Sequence, residues 1–163
     1  MAETPIITPN RRYVFRVSFT EEKMAMAGIK VSIKDMCQVV KMSDEFFKVA
    51  RQEIQLEIDS LKKILLSCTN DKQLYAESSN IEKHMHKIKG LAPMMMQEKM
   101  GEIAKISDLI VKHVSGKGIL TGSHVIISDA VKRMSSLLDG DPNIQVDDFR
   151  KHVKSTYPGI FEF

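Results

Sequence analysis

The sequence predicts an all-α fold, an antiparallel four-helix bundle with N- and C-terminal extensions. Its 163 residues are enough for one domain with a sizeable core. Helix-forming residues are common, tryptophan is absent, and the 8 glycines and 5 prolines are clustered, which favours helices over a β-sandwich or barrel. Apolar residues recur with helical spacing in segments joined by short connections, which indicates antiparallel neighbours.

We divide the chain into an N-terminal extension (1–31), the helical bundle (32–140) and a C-terminal short helix with a tail (141–163). In the first part Pro5 and Pro9 argue against an early helix. The stretch 13–17 fits either a short strand or a loose extension lying on the bundle.

The first helical segment of the bundle begins at Ser32, with Asp35 three residues later as a capping-box-like start. Apolar residues then recur and indicate one helix, or two with a break around 42–44, ending near Cys68. The turn 69–71 carries the N-cap of the next helix, because a side-chain oxygen there can accept from the first turn.

The next helix has the clearest pattern. Its inward positions are spaced by three and four residues: Leu74, Ser78, Ile81, Met85, Ile88 and Ala92. Such a seam packs inside a helical bundle. Pro93 cannot donate to the carbonyl of Lys89, so we expect it to kink or end the helix.

Three more helices follow. We expect one over 97–114, ended by Gly116 and Gly118, one over 123–138, and a short one around Val146, Phe149 and Val153 that stops before Pro158. The inward positions predicted for them are Met100, Ile103, Ala104, Ile106, Ile110, Val114, Ile126, Ile127, Ala130, Met134, Leu137 or Leu138, Phe149 and Val153.

The charge balance and the cysteine content argue against several classes of function. The 24 basic and 21 acidic residues are well mixed and give a net charge of +3, so nucleic acid is not the expected partner. Neither a membrane-spanning run nor a signal peptide is apparent. Cys37 and Cys68 have no metal or disulfide spacing and indicate reduced thiols. We therefore expect a cytoplasmic monomer without a membrane partner.

The helix that ends near Pro93 carries the candidate site. At 3.6 residues per turn His86 lies about 100° from Met85 and about 200° from Ile88. It therefore faces away from the core. Lys89 and Gly90, three and four residues further on, lie on the same side of the helix.

These residue types suit a phosphoryl carrier. A neutral imidazole such as His86 is a nucleophile at neutral pH, and its phosphorylated form is a dianion that an ammonium group stabilises. We assign that stabilising role to Lys89, with Lys83 and Lys87 as a supporting positive rim. Gly90 has no side chain and would give a partner clearance beside the imidazole.

The stretch 86–92 resembles the H-x-x-K-G signature of histidine-containing phosphotransfer (HPt) domains. The stretch 98–104, EKMGEIA, fits the family's E-x-(L/M)-x-E-(L/I)-(A/C) start of the following helix. The resemblance covers roughly 45–138. The chain departs from the family at Pro93 and at Met96, where many members have a turn glycine.

The resemblance implies an HPt-like bundle with His86 as phospho-acceptor, Lys89 as phosphoryl-stabilising group and Gly90 as partner clearance. It implies a relay between receiver domains of response regulators and hybrid histidine kinases in a two-component phosphorelay. Such a protein is a phosphohistidine intermediate without its own ATP site or cofactor. Mg²⁺ is expected on the receiver domain.

Two other interpretations stay open. The bundle could be a non-catalytic adaptor whose histidine face only docks a partner, with the methionines 94–96 filling a turn or, less favoured, adapting to that partner. It could also bind metal through His84, His86 and His113. On a helix His84 and His86 point about 200° apart and cannot share an ion, so we predict no metal and expect His84 to be solvated or a rim residue. For His124 no partner is evident in the sequence.

Overall fold

The computed structural model describes the backbone of residues 33–161 and the side chains of residues 44–161. The described elements are α1 (Ile33–Ser67), α2 (Asp71–Met94), α3 (Glu98–Lys117), α4 (Ser123–Leu138), α5 (Val146–Thr156) and a 3₁₀ turn (Pro158–Ile160). The described residues contain no strand, so the all-α prediction is confirmed for them. The expectations for 13–17 and for the cap at Ser32 lie outside the described residues.

The chain divides into two compact units, Met1–Lys41 and Met42–Phe163, and the packing below is that of the second. Between residues 33 and 67 the first helix is continuous, without the break considered around 42–44. No helix among the described residues is both long and apolar enough to cross a bilayer. The predicted boundaries at 31/32 and 140/141 stay predictions.

The seam predicted for α2 is confirmed, because all six inward positions are buried. The inward positions predicted for α3, α4 and α5 are buried as well. They join one continuous hydrophobic core, to which α1 contributes Ile54, Ile58 and Leu61. Burial of one apolar face per helix supplies most of the stability of such short helices.

The start of α2 is capped as the sequence predicts. The Asn70 side chain accepts from the backbone N–H of Gln73 at 3.0 Å, and the Gln73 side chain accepts from the backbone N–H of Thr69 at 2.6 Å. Two backbone donors outside the helical ladder are thereby paired.

Of the two glycines predicted to end α3, Gly118 is confirmed as the cap, whereas Gly116 lies inside the helix. Gly118 has φ 102° and donates its N–H to Val114 at 2.9 Å. A helix tolerates an interior glycine at a cost of about 1 kcal/mol relative to alanine, whereas a positive φ favours glycine strongly. The backbone conformation, and not the residue type alone, therefore sets the helix end.

Helices α2 and α3 approach closely where α2 ends. Pro93 lies in the last turn of α2, and the helix stops one residue later, at Met94, as its missing N–H predicts. Gly101 on α3 is buried against it, since a Cβ at that position would lie 2.9 Å from Pro93 Cγ. The absent side chain permits this contact.

Met96, in the turn between α2 and α3, has φ 57°. A left-handed backbone costs a non-glycine residue about 1–2 kcal/mol, which glycine avoids. Part of that gain is offset because glycine makes the unfolded chain more flexible. We expect Met96→Gly to raise the free energy of unfolding by about 0.5–1 kcal/mol in urea denaturation. The control Met94→Gly replaces the last residue of α2, whose φ is not positive, and should lower it by up to about 1 kcal/mol. Equal losses in both variants would contradict the strain at Met96.

Candidate functional site

His86 lies on the outer face of α2 with 65% of its side chain exposed. This orientation follows from the seam, which turns Met85 and Ile88 into the core. Gly90 is exposed one turn further on, and a Cβ built there would have no atom within 4 Å. Imidazole and bare backbone thus share an open surface, and their roles stay predictions.

Beneath His86 lies a buried carboxylate that the sequence patterns did not reveal. Asp108 on α3 is 2% exposed, and its Oδ2 accepts from Lys89 Nζ at 2.6 Å and from Lys112 Nζ at 3.0 Å. The other oxygen, Oδ1, is buried without a hydrogen-bond partner and lies 3.9 Å from His86 Nδ1. Hereafter Asp108, Lys89 and Lys112 are called the Asp108 triad.

The electrostatics of the Asp108 triad favour an ionised carboxylate. Burial raises the pKa of Asp108, but the hydrogen bonds from Lys89 and Lys112 outweigh it and hold the pKa below its usual value. With one negative and two positive groups, the triad carries a net charge of +1 at neutral pH. A net positive charge next to His86 favours an added anion there.

The ammonium group of Lys89 is not free in the structure. Lys89 is on the predicted side of α2, but its Nζ is bonded to Asp108. The interaction joins α2 to α3 across a sequence separation that no local pattern encodes. The sequence did contain one signal for this site. Asp108 is a charged residue between the inward positions Ile106 and Ile110, and Lys112 follows it four residues later.

A second buried carboxylate corrects the expectation for His84 and also binds Lys87. Glu57 on α1 is buried, with Oε2 against His84 Nδ1 and Oε1 accepting from Lys87 Nζ at 2.7 Å. His84 is therefore half-buried and paired instead of solvated, and Lys87 is paired with Glu57 while 60% of its side chain stays exposed. Both face α1, which the sequence of α2 alone could not show.

This second group also stays charged. Burial raises the pKa of Glu57, but Lys87 and then His84 outweigh it and lower the pKa below its usual value. The hydrogen bond between Lys87 and Glu57 also raises the pKa of Lys87. Both residues of the predicted rim, Lys83 and Lys87, are exposed on α2.

Two further expectations differ from the structure. His124 has a partner, because its Nε2 donates to the carbonyl of Cys68 at 2.7 Å. Of the three consecutive methionines only Met95 packs against the core, while Met94 and Met96 are 59% and 65% exposed. Pro93 and the left-handed turn bring the two exposed side chains to the surface.

Within the residues that the structure describes, no three His, Cys, Asp or Glu side chains stand close enough to hold a metal ion. The set His84, His86 and His113 is therefore not brought together. No protein-family model, curated protein or solved structure matches the chain. What the site offers chemically is an exposed imidazole beside a buried carboxylate whose two lysine partners give the cluster a net positive charge.

Proposed function

We propose that this chain is a histidine phosphotransfer protein with an HPt-like antiparallel four-helix bundle. His86 accepts a phosphoryl group from the aspartyl phosphate of one receiver domain and passes it to the aspartate of another. The observation that carries the proposal is the exposed imidazole, whose Nδ1 lies 3.9 Å from Asp108 Oδ1, with Lys89 and Lys112 bonded to the same carboxylate and open backbone at Gly90 on the same helix. These are a nucleophile, a counter-charge and room for a partner.

The transfer needs no cofactor on this chain. The lone pair of the unprotonated His86 nitrogen forms an N–P bond while the P–O bond to the aspartyl carboxylate breaks, and that carboxylate keeps the electron pair. The proton on the other ring nitrogen stays in place. Because Nδ1 faces Asp108, we assign the acceptor role to Nε2. The receiver domain supplies Mg²⁺ and the acidic pocket.

The charges around His86 suit this partner. A receiver pocket is acidic, and opposite charges on two surfaces speed association and fix their orientation. Lys83, which is exposed on α2, and the +1 of the Asp108 triad supply positive charge on this side. The partners we propose are receiver domains of response regulators and hybrid histidine kinases.

A substitution at Gly90 should change stability and phosphotransfer in opposite directions. Because nothing lies within 4 Å of a Cβ there, we expect Gly90→Leu to raise the free energy of unfolding by up to about 1 kcal/mol through helix propensity. The leucine would fill the space needed by a docked receiver, so transfer should slow by about tenfold or more. Both are measured on one sample, by urea denaturation and phosphotransfer kinetics.

The matched control for Gly90 is Gly116→Leu. Gly116 is also helical and exposed, with open space around its Cβ, but it lies near the end of α3. It should give a similar or smaller stability gain and leave the transfer rate unchanged. Equal transfer rates for the two leucine variants would contradict a docking role for Gly90.

The direct test mixes the purified protein with radiolabelled, phosphorylated receiver domains from the same genome. We expect label to move to this chain in a form that is labile to acid and stable to alkali, as a phosphoramidate is. Absence of transfer from every receiver and hybrid kinase of the cell would contradict the proposal.

The second candidate is an adaptor that uses the same face without phosphate chemistry. The observation in its favour is the exposure of Met94 and Met96, flexible apolar side chains that adapt to a docked surface. The two candidates differ at His86, whose substitution ends phosphotransfer in the first and leaves binding intact in the second.

A further inference from the structure

Lys89 faces a conflict if it is to stabilise a phosphoryl group. Its Nζ lies 2.6 Å from Asp108 Oδ2, and Asp108 is 2% exposed. A buried carboxylate that loses its only partner is strongly destabilised. Lys89 can therefore turn toward a phosphoryl group on His86 only if another cation keeps Asp108 compensated.

Lys112 meets that requirement. Its Nζ lies 3.0 Å from the same Oδ2, and its side chain is more exposed than that of Lys89, 44% against 29%. It reaches Asp108 from one turn further along α3, the helix that carries the carboxylate, whereas Lys89 and His86 share α2. The two ammonium groups therefore come from different helices and share one acceptor, Asp108 Oδ2.

We propose that Lys112 is a positioning residue: it holds Asp108, so that Lys89 can leave Asp108 and bind the phosphoryl group of His86. This inference rests on the proposed function. In the resting protein both lysines bind Asp108. After transfer Lys112 stays on Asp108, and Lys89 binds the phosphoryl oxygens. The bonds made and broken remain those of the transfer step, because only hydrogen bonds are exchanged.

Charge arithmetic on the Asp108 triad gives the expected order of variants. The triad has a net charge of +1 in the wild type, 0 in Lys112→Met, +2 in Asp108→Asn and +1 in the double variant. We expect Lys112→Met to lower the equilibrium ratio of phosphorylated to unphosphorylated protein by about tenfold. Asp108→Asn should raise that ratio, and the double variant should return it to about the wild-type value.

The experiment equilibrates each full-length variant with a phosphorylated receiver domain and measures the phosphorylated fraction. Lys112→Arg keeps the charge and should keep the ratio. Lys105→Met removes a positive charge from an exposed position seven residues earlier on α3 and should also keep it. Thermal unfolding checks that each variant is folded, and rescue of Lys112→Met by Asp108→Asn distinguishes positioning from a structural defect.

The outcomes separate the inference from the proposed function. If the wild type takes label but Lys112→Met matches Lys105→Met, or Asp108→Asn fails to rescue it, the inference about Lys112 is wrong and the proposed function stands. If the wild type takes no label from any receiver, the proposed function fails and the inference fails with it.

Discussion

Replacing His86 with glutamine is expected to abolish phosphoryl labelling and to leave the fold intact. Glutamine has no nucleophilic ring nitrogen, so no phosphoramidate can form. The side chain is 65% exposed and outside the core, and surface substitutions of that kind change stability by about 0.5 kcal/mol or less. Label transfer and urea denaturation measure the two effects on the same preparation.

The matched control is His152→Gln. His152 is exposed on α5, so the substitution changes the same chemical groups away from the proposed site. It should keep full labelling. Receiver binding adds a second readout, because an adaptor would lose nothing in either variant. Persistence of alkali-stable label in His86→Gln would place the phosphoryl group on another residue.

The largest stability effect of a single polar side chain is expected for Asp71→Ala. The Asp71 carboxylate accepts from the backbone N–H groups of Gly122 and His124, each at 2.8 Å, and from Ser123 Oγ at 3.2 Å. The first residue of α2 thus caps the start of α4. Hydrogen bonds to a charged group contribute about 1.5–3 kcal/mol, so we expect a loss of about 2–3 kcal/mol in urea denaturation.

The same carboxylate makes this contribution depend on pH. Burial raises the pKa of Asp71, but the hydrogen bonds from His124, Gly122 and Ser123 outweigh it and lower the pKa below its usual value. A carboxyl with a lowered native pKa stabilises the fold above its unfolded pKa, about 3.9, and loses that effect as the pH falls through the native pKa. The stability gap between wild type and Asp71→Ala should therefore be constant at neutral pH and shrink below about pH 4.

Asp147→Ala is the control for this prediction. Asp147 also lies in the first turn of a helix, α5, but its side chain is 76% exposed and pairs only with Arg150 three residues later. We expect a loss of about 0.5 kcal/mol or less. A loss at Asp71 no larger than that at Asp147 would contradict the capping role.

Local periodicity was sufficient to predict most of the helical fold. The seam of α2 is visible in the sequence because its positions repeat every three and four residues, and the Asn70 cap because its partner is three residues away. Gly116 was predicted to end α3 together with Gly118 because the two residues are identical in type, and only the positive φ of Gly118 distinguishes the cap. The outward direction of His86 followed from the same seam.

The charged partners of the site could not be predicted in this way. Glu57 lies 27 residues before His84, and Asp108 lies 19 residues after Lys89. Each pair forms because packing of the seams brings two helix faces together, so it depends on the relative rotation of the helices. The sequence therefore predicted the exposed imidazole, but not the two buried carboxylates that hold the lysines around it.

The most direct test of the central claim is to locate the phosphoryl group. The protein is phosphorylated by a receiver domain, digested at alkaline pH, and its peptides are sequenced by mass spectrometry. We predict one phosphoryl group on His86, with His84 in the same peptide unmodified because its ring is bound to Glu57. A phosphoryl group on any other residue, or on none, would contradict the account.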